Sequence, residues 1–386
     1  MSGMTGKNSI TSRQFNRGLI LQLIATQTCR SRIELSKTTG LSKMTVTNII
    51  AEFIQQGLVK ECEEELTEVC GRNPILLKIS EKAPKILGLL ISRDRIEAVV
   101  CTLEMEILDS ERISFTHLTE AELYEDCFQV LDRLLERTEK ILGIGIAAIG
   151  PVHIRKGMIL NPPRFYEIKN IKIVEVLKEK YRLPVLLEHD NNSAALAEKL
   201  FGMGKDVQDF LFLGISNGIG CGIISNGKLY RSHRQLPPEI GHISIERKGL
   251  LCACGNRGCL ELYANTSVVL RKLQKETGED LSFAEFCQMQ GNRGTDEIFS
   301  EMLEDISTGL VSVMNLFHPE MIVLGQDCMD WSETQVKALE EQINVRKMVH
   351  DQKMIPVKKA YFGKKVQLAG AAANVAAEAF KGNLLF

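Results

Sequence analysis

The feature that most constrains the fold is a cluster of metal-ligand residues in the middle of the chain. Residues 241–261 read Gly-His, nine further residues, then Cys-Ala-Cys-Gly-Asn-Arg-Gly-Cys-Leu-Glu. Three thiolates and one imidazole suit a tetrahedral structural zinc with no open position. Two glycines allow the tight turn that returns the last cysteine to the others. The alternative is a set of ordinary buried cysteines, but the order of four ligands and two turn glycines favours a zinc site. The predicted ligands are His242, Cys252, Cys254 and Cys259.

Two carboxylates flank this cluster in the sequence, Glu239 before it and Glu261 directly after it. A metal-braced turn would hold both side chains in fixed positions, as recognition of a hydroxyl-rich ligand requires. The sequence therefore predicts a ligand site beside the zinc.

Cysteine content and hydropathy indicate the cellular compartment. The eleven cysteines are an odd number and follow no secreted disulfide pattern, which together with the cluster indicates a reducing cytoplasm. The polar N-terminus lacks an apolar signal region, and apolar runs such as 141–152 are too short to span a bilayer. We expect a cytoplasmic protein without a membrane partner.

Charge is unevenly distributed along the chain. The net charge is −2, yet residues 1–60 contain eight Lys or Arg against two Glu. A locally basic segment suits a polyanion such as DNA, whereas a solvated helical surface would have the same composition.

The same segment has the pattern of a helix-turn-helix. We expect a first helix over 16–28, a second opened by a Ser31–Glu34 capping box and ended by Gly40, and a third over 43–56 capped by Ser42. Two short strands then form a wing. A three-helix protein-interaction module is the alternative. The side chains predicted to contact phosphates or base edges are Arg32, Lys43, Thr45, Thr47, Asn48 and, at the tip of the wing, Arg72.

From about residue 85 the pattern alternates between apolar strands and amphipathic helices. Two successive β-β-β-α-β-α passages predict an α/β body with a duplicated core and a cleft between its halves. We expect three domains: a winged head over 1–82, a first lobe over 83–195 completed by 370–386, and a second lobe over 196–369 with the zinc site and the oligomerisation surface.

Two further segments can carry chemistry. Glu188-His189-Asp190-Asn191-Asn192 follows a predicted strand, where a carboxylate can accept a hydrogen bond from a sugar hydroxyl or simply cap the next helix. The glycine-rich stretch 214–222 can cradle a phosphate or form a plain hairpin turn, but it lacks the Gly-Lys-Ser/Thr ending of a P-loop.

Together these motifs resemble the ROK family of repressors, open reading frames and sugar kinases, specifically its xylose-repressor-like regulators. The resemblance covers nearly the whole chain, and residues 241–261 match the family signature at every defined position. It implies an actin-like, ribonuclease-H-like ATPase fold with two lobes, and zinc on the four predicted ligands. The sugar-site residues that it implies are Asn161, His189, Asp190, Glu239, His242 and Glu261.

Departures from the kinase pattern indicate that the chain is not an enzyme. Leu90 and Ser92 stand where family kinases have the Asp and Gly of their first phosphate turn, and leucine can neither hold Mg²⁺ nor order a phosphate. The family's adenosine-side Gly-Gly reads Gly325-Gln326, and its Asn-Asp pair reads His189-Asp190. Asp190 is then a vestigial base.

The expected function is a sugar-responsive transcriptional repressor that binds operator DNA as a homodimer or a dimer of dimers. A sugar or sugar phosphate would shift the lobes and release the DNA. Two alternatives remain open: an ATP-dependent sugar kinase with an accessory head, and a regulator controlled by a protein partner.

Overall fold

The computed structural model describes residues 9–62, 75–233, 236–278, 280–289, 291, 293–348 and 353–384. The chain divides into two compact units. The first unit contains Met1–Ile146, Val174–Leu187 and Ala371–Phe386, and the second unit contains Ala147–Ile173 and Glu188–Gly370. The predicted boundary between a head and a first lobe lies inside the first unit, so the three-domain division stays a prediction.

The N-terminal part of the first unit is a winged helix-turn-helix, as predicted, although its first helix begins seven residues earlier and ends three residues earlier than the predicted range 16–28. Strands β1 and β2 pair antiparallel, with Val59 opposite Ile79, and form the wing. Arg72 lies outside the described residues. The elements are α1 (Ser9–Ala25), α2 (Arg32–Thr39), α3 (Lys43–Gln55), β1 (Val59–Cys62) and β2 (Leu76–Ile79).

Local capping fixes the two helices of the motif. Ser31 and Ser42 each accept a hydrogen bond from a backbone N–H three residues later, and Gly40 ends α2 in the left-handed conformation at φ 70°. The predicted capping box is incomplete, because the Glu34 carboxylate accepts from the N–H of Arg30 at 2.6 Å rather than from Ser31. The inner face of α3 is buried, at Val46, Ile49, Ile50 and Phe53.

The rest of the first unit is built on a five-stranded sheet with the order β5-β4-β3-β6-β9. Helix α4 packs an amphipathic face on β4 and β5. It ends at Leu135, and the apolar run that begins at Ile141 forms strand β6. In chain order, its elements are β3 (Lys85–Ile91), β4 (Arg95–Cys101), β5 (Ile107–Ser114), α4 (Glu120–Leu135), β6 (Ile141–Ala148), α5 (Ile173–Tyr181) and β9 (Val185–His189), of which β6, α5 and β9 each extend by one or two residues into the second unit. The short strands β7 (Val152–His153) and β8 (Met158–Ile159) lie between β6 and α5 in the chain and belong to the second unit.

The second unit contains a five-stranded sheet with the order β12-β11-β10-β13-β14. Helix α6 packs on β10 and β11, and the long helix α10 buries one face in the core. The elements are α6 (Asp190–Phe201), β10 (Phe210–Ile215), β11 (Ile219–Ser225), β12 (Lys228–Leu229), α7 (Glu261–Ala264), α8 (Thr266–Thr277), α9 (Phe283–Gln288), α10 (Arg293–Phe317), β13 (Met321–Gln326), α11 (Glu333–Arg346), β14 (Val357–Lys359) and α12 (Val366–Phe380), of which α12 ends in the first unit.

The two sheets share one topology. If the strands of each sheet are numbered from its own first strand, both orders read 3-2-1-4-5, which is an antiparallel meander followed by two later strands. The predicted duplicated core is therefore confirmed. No helix of the described residues is both long and apolar enough to cross a membrane.

Candidate functional site

The four predicted metal ligands lie on a short knuckle in the second unit. Its backbone is closed by hydrogen bonds from the N–H of Cys252 to the carbonyl of Asn256 and from the N–H of Leu260 to the carbonyl of Ile243. Gly258 has φ 68° and lies against the Glu246 backbone, so a Cβ would not fit there. The knuckle thus needs the glycine that the sequence places before the last cysteine.

The ligand atoms of His242, Cys252, Cys254 and Cys259 all lie within 4.8 Å of one another. Cys252 Sγ is 3.6 Å from His242 Nδ1, and Cys254 Sγ is 3.7 Å from Cys259 Sγ. A tetrahedron with metal–sulfur bonds of about 2.3 Å has ligand atoms about 3.8 Å apart. The cluster therefore has the dimensions of a site that can hold a metal ion.

The thiols of the cluster differ in acidity. The pKa of Cys254 is lowered mainly because the backbone N–H of Asn256 donates a hydrogen bond to its sulfur, whereas burial raises the pKa of Cys259 to about 12. A thiol that is so costly to ionise in the bare protein needs a bound cation to become a thiolate ligand.

The predicted ligand-site carboxylates gather beside this cluster. Glu239 is solvent-exposed but lies in densely packed surroundings, and the resulting desolvation raises its pKa. The charges of His189, His242, Asp190 and Glu261 act on the same carboxyl group. Glu261 Oε1 lies 3.9 Å from both Cys252 Sγ and His242 Nδ1, so the knuckle contacts one of these carboxylates directly.

Asp190 is the first residue of α6 and is held from three directions. Its Oδ1 accepts from the Asn191 N–H at 2.6 Å and from Asn191 Nδ2 at 2.9 Å, and it lies 3.3 Å from His189 Nδ1. Its Oδ2 accepts from Gln367 Nε2 at 2.8 Å. The residue that precedes α6 is His189, whose side chain makes no capping bond, so Asp190 does not act as the helix N-cap.

Asn161 follows β8 and is exposed to solvent. Its proposed contact with a sugar stays a prediction.

The glycine-rich stretch forms the hairpin between β10 and β11, and side chains fill the space beside it. The Asn191 side chain lies against Gly214 and Gly220 and leaves no room for a Cβ at either position. Gln326 Nε2 donates to Asn191 Oδ1 at 3.1 Å and also lies beside Gly214. A phosphate cradled by this hairpin would have to displace both amides.

Leu90 and Ser92 belong to the hairpin between β3 and β4 in the first unit. Leu90 is buried opposite Glu97, and the Ser92 N–H donates to the Arg95 carbonyl at 2.9 Å. Both residues therefore take part in the pairing of β3 with β4.

Four polar residues around Asp190 were not predicted to have a role: Glu188, Asn191, Arg231 and Gln367. Arg231 Nε and Nη2 donate to the buried Glu188 Oε2, at 2.9 and 2.6 Å. The segment that leads to Glu239 is thus fastened to the strand that ends at His189. Only Glu188 and Asn191 are sequence neighbours of Asp190, so Arg231 and Gln367 gave no local signal.

In the head, the start of α3 presents polar side chains. Lys43, Thr47 and Asn48 are exposed, and Thr45 is half-buried. Arg32 differs from them, because its guanidinium forms an ion pair with Glu61 of the wing. A phosphate contact by Arg32 would require exchange of this partner.

Known proteins resemble this chain over most of its length. A model of the ROK family matches residues 86–378, which is most of the chain. The xylose repressor of Caldicellulosiruptor bescii is 29% identical and aligned over 89% of this chain and 90% of its own length. The DNA-binding transcriptional dual regulator NagC of Escherichia coli is 27% identical over 89% and 88%.

Solved structures show the same fold. A ROK family transcriptional regulator described as a homologue of the E. coli MLC protein superposes with a TM-score of 0.83 at 24% identity, covering 97% of this chain and 98% of its own. A ROK hexokinase from Thermus thermophilus superposes with a TM-score of 0.66 at 26% identity, covering 76% of this chain and 99% of its own. The chain has the actin-like fold of these proteins, with a winged helix-turn-helix as the N-terminal part of its first unit, and it belongs to the ROK family.

Proposed function

We propose that the chain is a DNA-binding transcriptional repressor of carbohydrate-metabolism genes, which responds to a sugar or sugar derivative bound beside a structural zinc. The observation that carries the proposal is the head. The ROK hexokinase is matched almost completely yet covers 76% of this chain, whereas the ROK regulator covers 97%. The family model begins at residue 86, after β2 of the wing.

Zinc is the metal that suits the cluster best. Three sulfur atoms and one ring nitrogen at tetrahedral spacing are typical ligands of a structural zinc and leave no position for a substrate. The ion would supply the positive charge that keeps the buried thiols ionised, and it would fix Glu261, which lies within 3.9 Å of two ligand atoms.

Three carboxylates near one another favour a ligand rich in hydroxyl groups. Asp190, Glu239 and Glu261 accept hydrogen bonds and donate none when they are ionised, so they suit a sugar that presents several O–H donors. The relatives named for xylose and for N-acetylglucosamine make pentoses and N-acetylhexosamines the first compounds to test.

Several residues oppose the alternative of a sugar kinase. Leu90 offers no ligand to magnesium, and the amides of Asn191 and Gln326 occupy the glycine hairpin where a phosphate would bind. Asp190 in the position of a base is the observation that favours a kinase. Its carboxylate already accepts three hydrogen bonds from protein donors, which suits binding better than proton abstraction.

Repression by a winged head is typical of dimers that read two half-sites about one DNA turn apart. The proposed second lobe, residues 196–369, offers a surface for self-association. The large apolar side chains of its described residues that are exposed by half or more are Leu250, Leu251, Leu316, Val345, Met348, Met354 and Tyr361. Exposed apolar patches of this kind are typical of protein interfaces.

The test is a gel shift of the purified protein with the DNA upstream of its own gene, repeated with xylose, N-acetylglucosamine and their phosphates. We expect a shifted complex that one of these compounds releases, and a binding constant that falls steeply with salt. Lys43→Ala should weaken binding to all sequences, whereas Asn48→Ala should relax base preference.

The matched control is Lys228→Ala, which removes an exposed lysine from the second unit and should leave the gel shift unchanged. The absence of any shifted complex at low salt would contradict the proposal.

A further inference from the structure

The boundary between the two units falls inside helix α12. The helix spans Val366–Phe380 without interruption, with 366–370 in the second unit and 371–380 in the first unit. A helix of 15 residues is about 22 Å long and is stiffened by its own backbone hydrogen bonds. Residues at and just beyond its two ends contact two different functional regions.

The first turn of α12 contacts the candidate ligand site. Gln367 is buried, and its Nε2 donates to Asp190 Oδ2 at 2.8 Å. Gly370, one turn later, lies against the backbone of Ser193 in α6 so closely that a Cβ would not fit. The start of α12 and the start of α6 are therefore in direct contact at the carboxylate that we propose for the sugar.

The far end of α12 contacts the DNA-binding head within the first unit. Gly18 of α1 packs on the backbone of Phe380 and Gly382, and a Cβ at Gly18 would overlap both. Gly382 in turn lies against the backbone of Gln14, again with no room for a side chain. Backbone-to-backbone packing of this kind leaves α1 little freedom to move unless the end of α12 moves with it.

We propose that Gln367 is the positioning residue through which α12 senses the ligand and conveys its presence to the head. The inference rests on the proposed function and adds to it the route by which the ligand alters DNA binding. Gln367 donates to Asp190 Oδ2 in the structure. A sugar hydroxyl that donates to the same oxygen competes with it and changes the hydrogen bond that fixes the first turn of α12.

The consequence follows from the packing at both ends. A stiff helix moves as one body when its first turn is re-anchored, and Gly18 passes that displacement to α1. The ligand then shifts the population of head arrangements by its differential affinity for them. Donors on the other oxygen of Asp190 come from α6 itself, so Gln367 is the contact that links this carboxylate to α12.

The test measures a coupling factor, the ratio of the operator dissociation constants with and without a saturating sugar, by fluorescence anisotropy on the full chain. The probes are D-xylose and N-acetyl-D-glucosamine, with the phosphates of each. We expect a factor of about 5 to 150 for the unaltered protein, the usual range of allosteric coupling. Gln367→Met keeps the length of the side chain but removes the donor, and it should reduce the factor to below about two.

Matched variants separate sensing from structural damage. Gln342→Met removes a comparable glutamine of α11, which accepts a hydrogen bond from Ser307, and it should leave the factor unchanged. Gly18→Ala should lower the factor from the other end of α12, with Asn16→Ala on the same helix as its control. A merely structural role of Gln367 would lower thermal stability and leave the factor intact.

Each outcome decides the matter. A Gln367→Met protein that is released by the sugar as fully as the unaltered protein overturns the inference and leaves the proposed function standing. An unaltered protein that binds its operator but responds to none of the probes contradicts the proposed function, and the inference falls with it. If Gly18→Ala fails to fold, Gln367→Met alone gives the decision.

Discussion

The two sides of Asp190 in the second unit differ in how the protein has filled them. On the metal side, Glu239 and Glu261 stand beside the knuckle as acceptors, and Glu239 is open to solvent. On the glycine side, Asn191 and Gln326 pack into the β10–β11 hairpin and bond to each other. In the proposed function, the metal side still binds a sugar, whereas side chains on the glycine side occupy the space that a phosphate would need.

The filled side is built at a cost in backbone energy. Gln326 has φ 59° and ψ −128°, a conformation that only glycine adopts readily, and such strain costs about 1–3 kcal/mol. Its Oε1 is also buried and without a hydrogen-bond partner among the described residues. A glycine would avoid both costs but would lose the hydrogen bond that the Gln326 amide donates to Asn191.

Loss of the proposed metal should have the largest effect on stability. The structural change should be confined to the metal side of Asp190. Cys259→Ser deletes a fully buried ligand, so we expect the zinc to be lost and the protein to be destabilised by several kcal/mol. In a domain of this size each kcal/mol lowers Tm by about 2–4 °C, which predicts a fall of about 10 °C. Metal analysis and thermal unfolding of the two proteins measure this.

Cys62→Ser is the control for the metal prediction, because Cys62 is a half-buried free thiol of the wing. It should retain the zinc content and the Tm of the unaltered protein. An unaltered protein without zinc would contradict the assignment of the cluster.

Glu239→Gln should have the next largest effect, on sugar affinity. Hydrogen bonds to charged groups contribute about 1.5–3 kcal/mol, so we expect calorimetry to give a dissociation constant that is about 10- to 100-fold larger. Desolvation raises the pKa of Glu239, so in the unaltered protein sugar affinity should fall as the pH is lowered through that raised pKa. The pH dependence of folding stability has the opposite sign. Because the pKa of Glu239 is higher in the folded protein than in the unfolded chain, the free energy of unfolding without sugar decreases as the pH rises through that raised pKa.

The pH dependence of the variant gives the control. Glu239→Gln carries no ionisable group at this position, so the part of the pH dependence that belongs to Glu239 should disappear. An affinity that is unchanged by the substitution at neutral pH would remove Glu239 from the ligand site.

Gln326→Gly should have the smallest effect and tests the glycine side. Relief of the strained backbone offsets the lost hydrogen bond to Asn191, so we expect a change in stability of about 1 kcal/mol or less. Sugar affinity should stay the same. ADP formation should stay absent as well, since Leu90 still offers no ligand to magnesium. ADP release by this variant would show that Gln326 alone separates the chain from a kinase.

The sequence predicted the features that depend on near neighbours. The clustering of His242, Cys252, Cys254 and Cys259, the Ser31 and Ser42 caps and the duplicated core follow from spacing and alternation, whereas the bound metal stays a prediction. The predicted capping box is incomplete, because the Glu34 carboxylate accepts from the N–H of Arg30 and not from that of Ser31, one residue later. Contacts between distant segments were not predictable: Gln326 lies 135 residues from Asn191, and Gln367 lies 177 residues from Asp190.

The proposed function requires that the body binds a sugar and has lost nucleotide chemistry. It is tested most directly by calorimetry of the purified protein with sugars and with ATP and magnesium, followed by a coupled assay of ADP release. We predict that a sugar binds, that ATP and magnesium do not, and that no ADP is formed. Tight binding of ATP and magnesium, with sugar-dependent turnover at the rates of ordinary enzymes, would contradict the account.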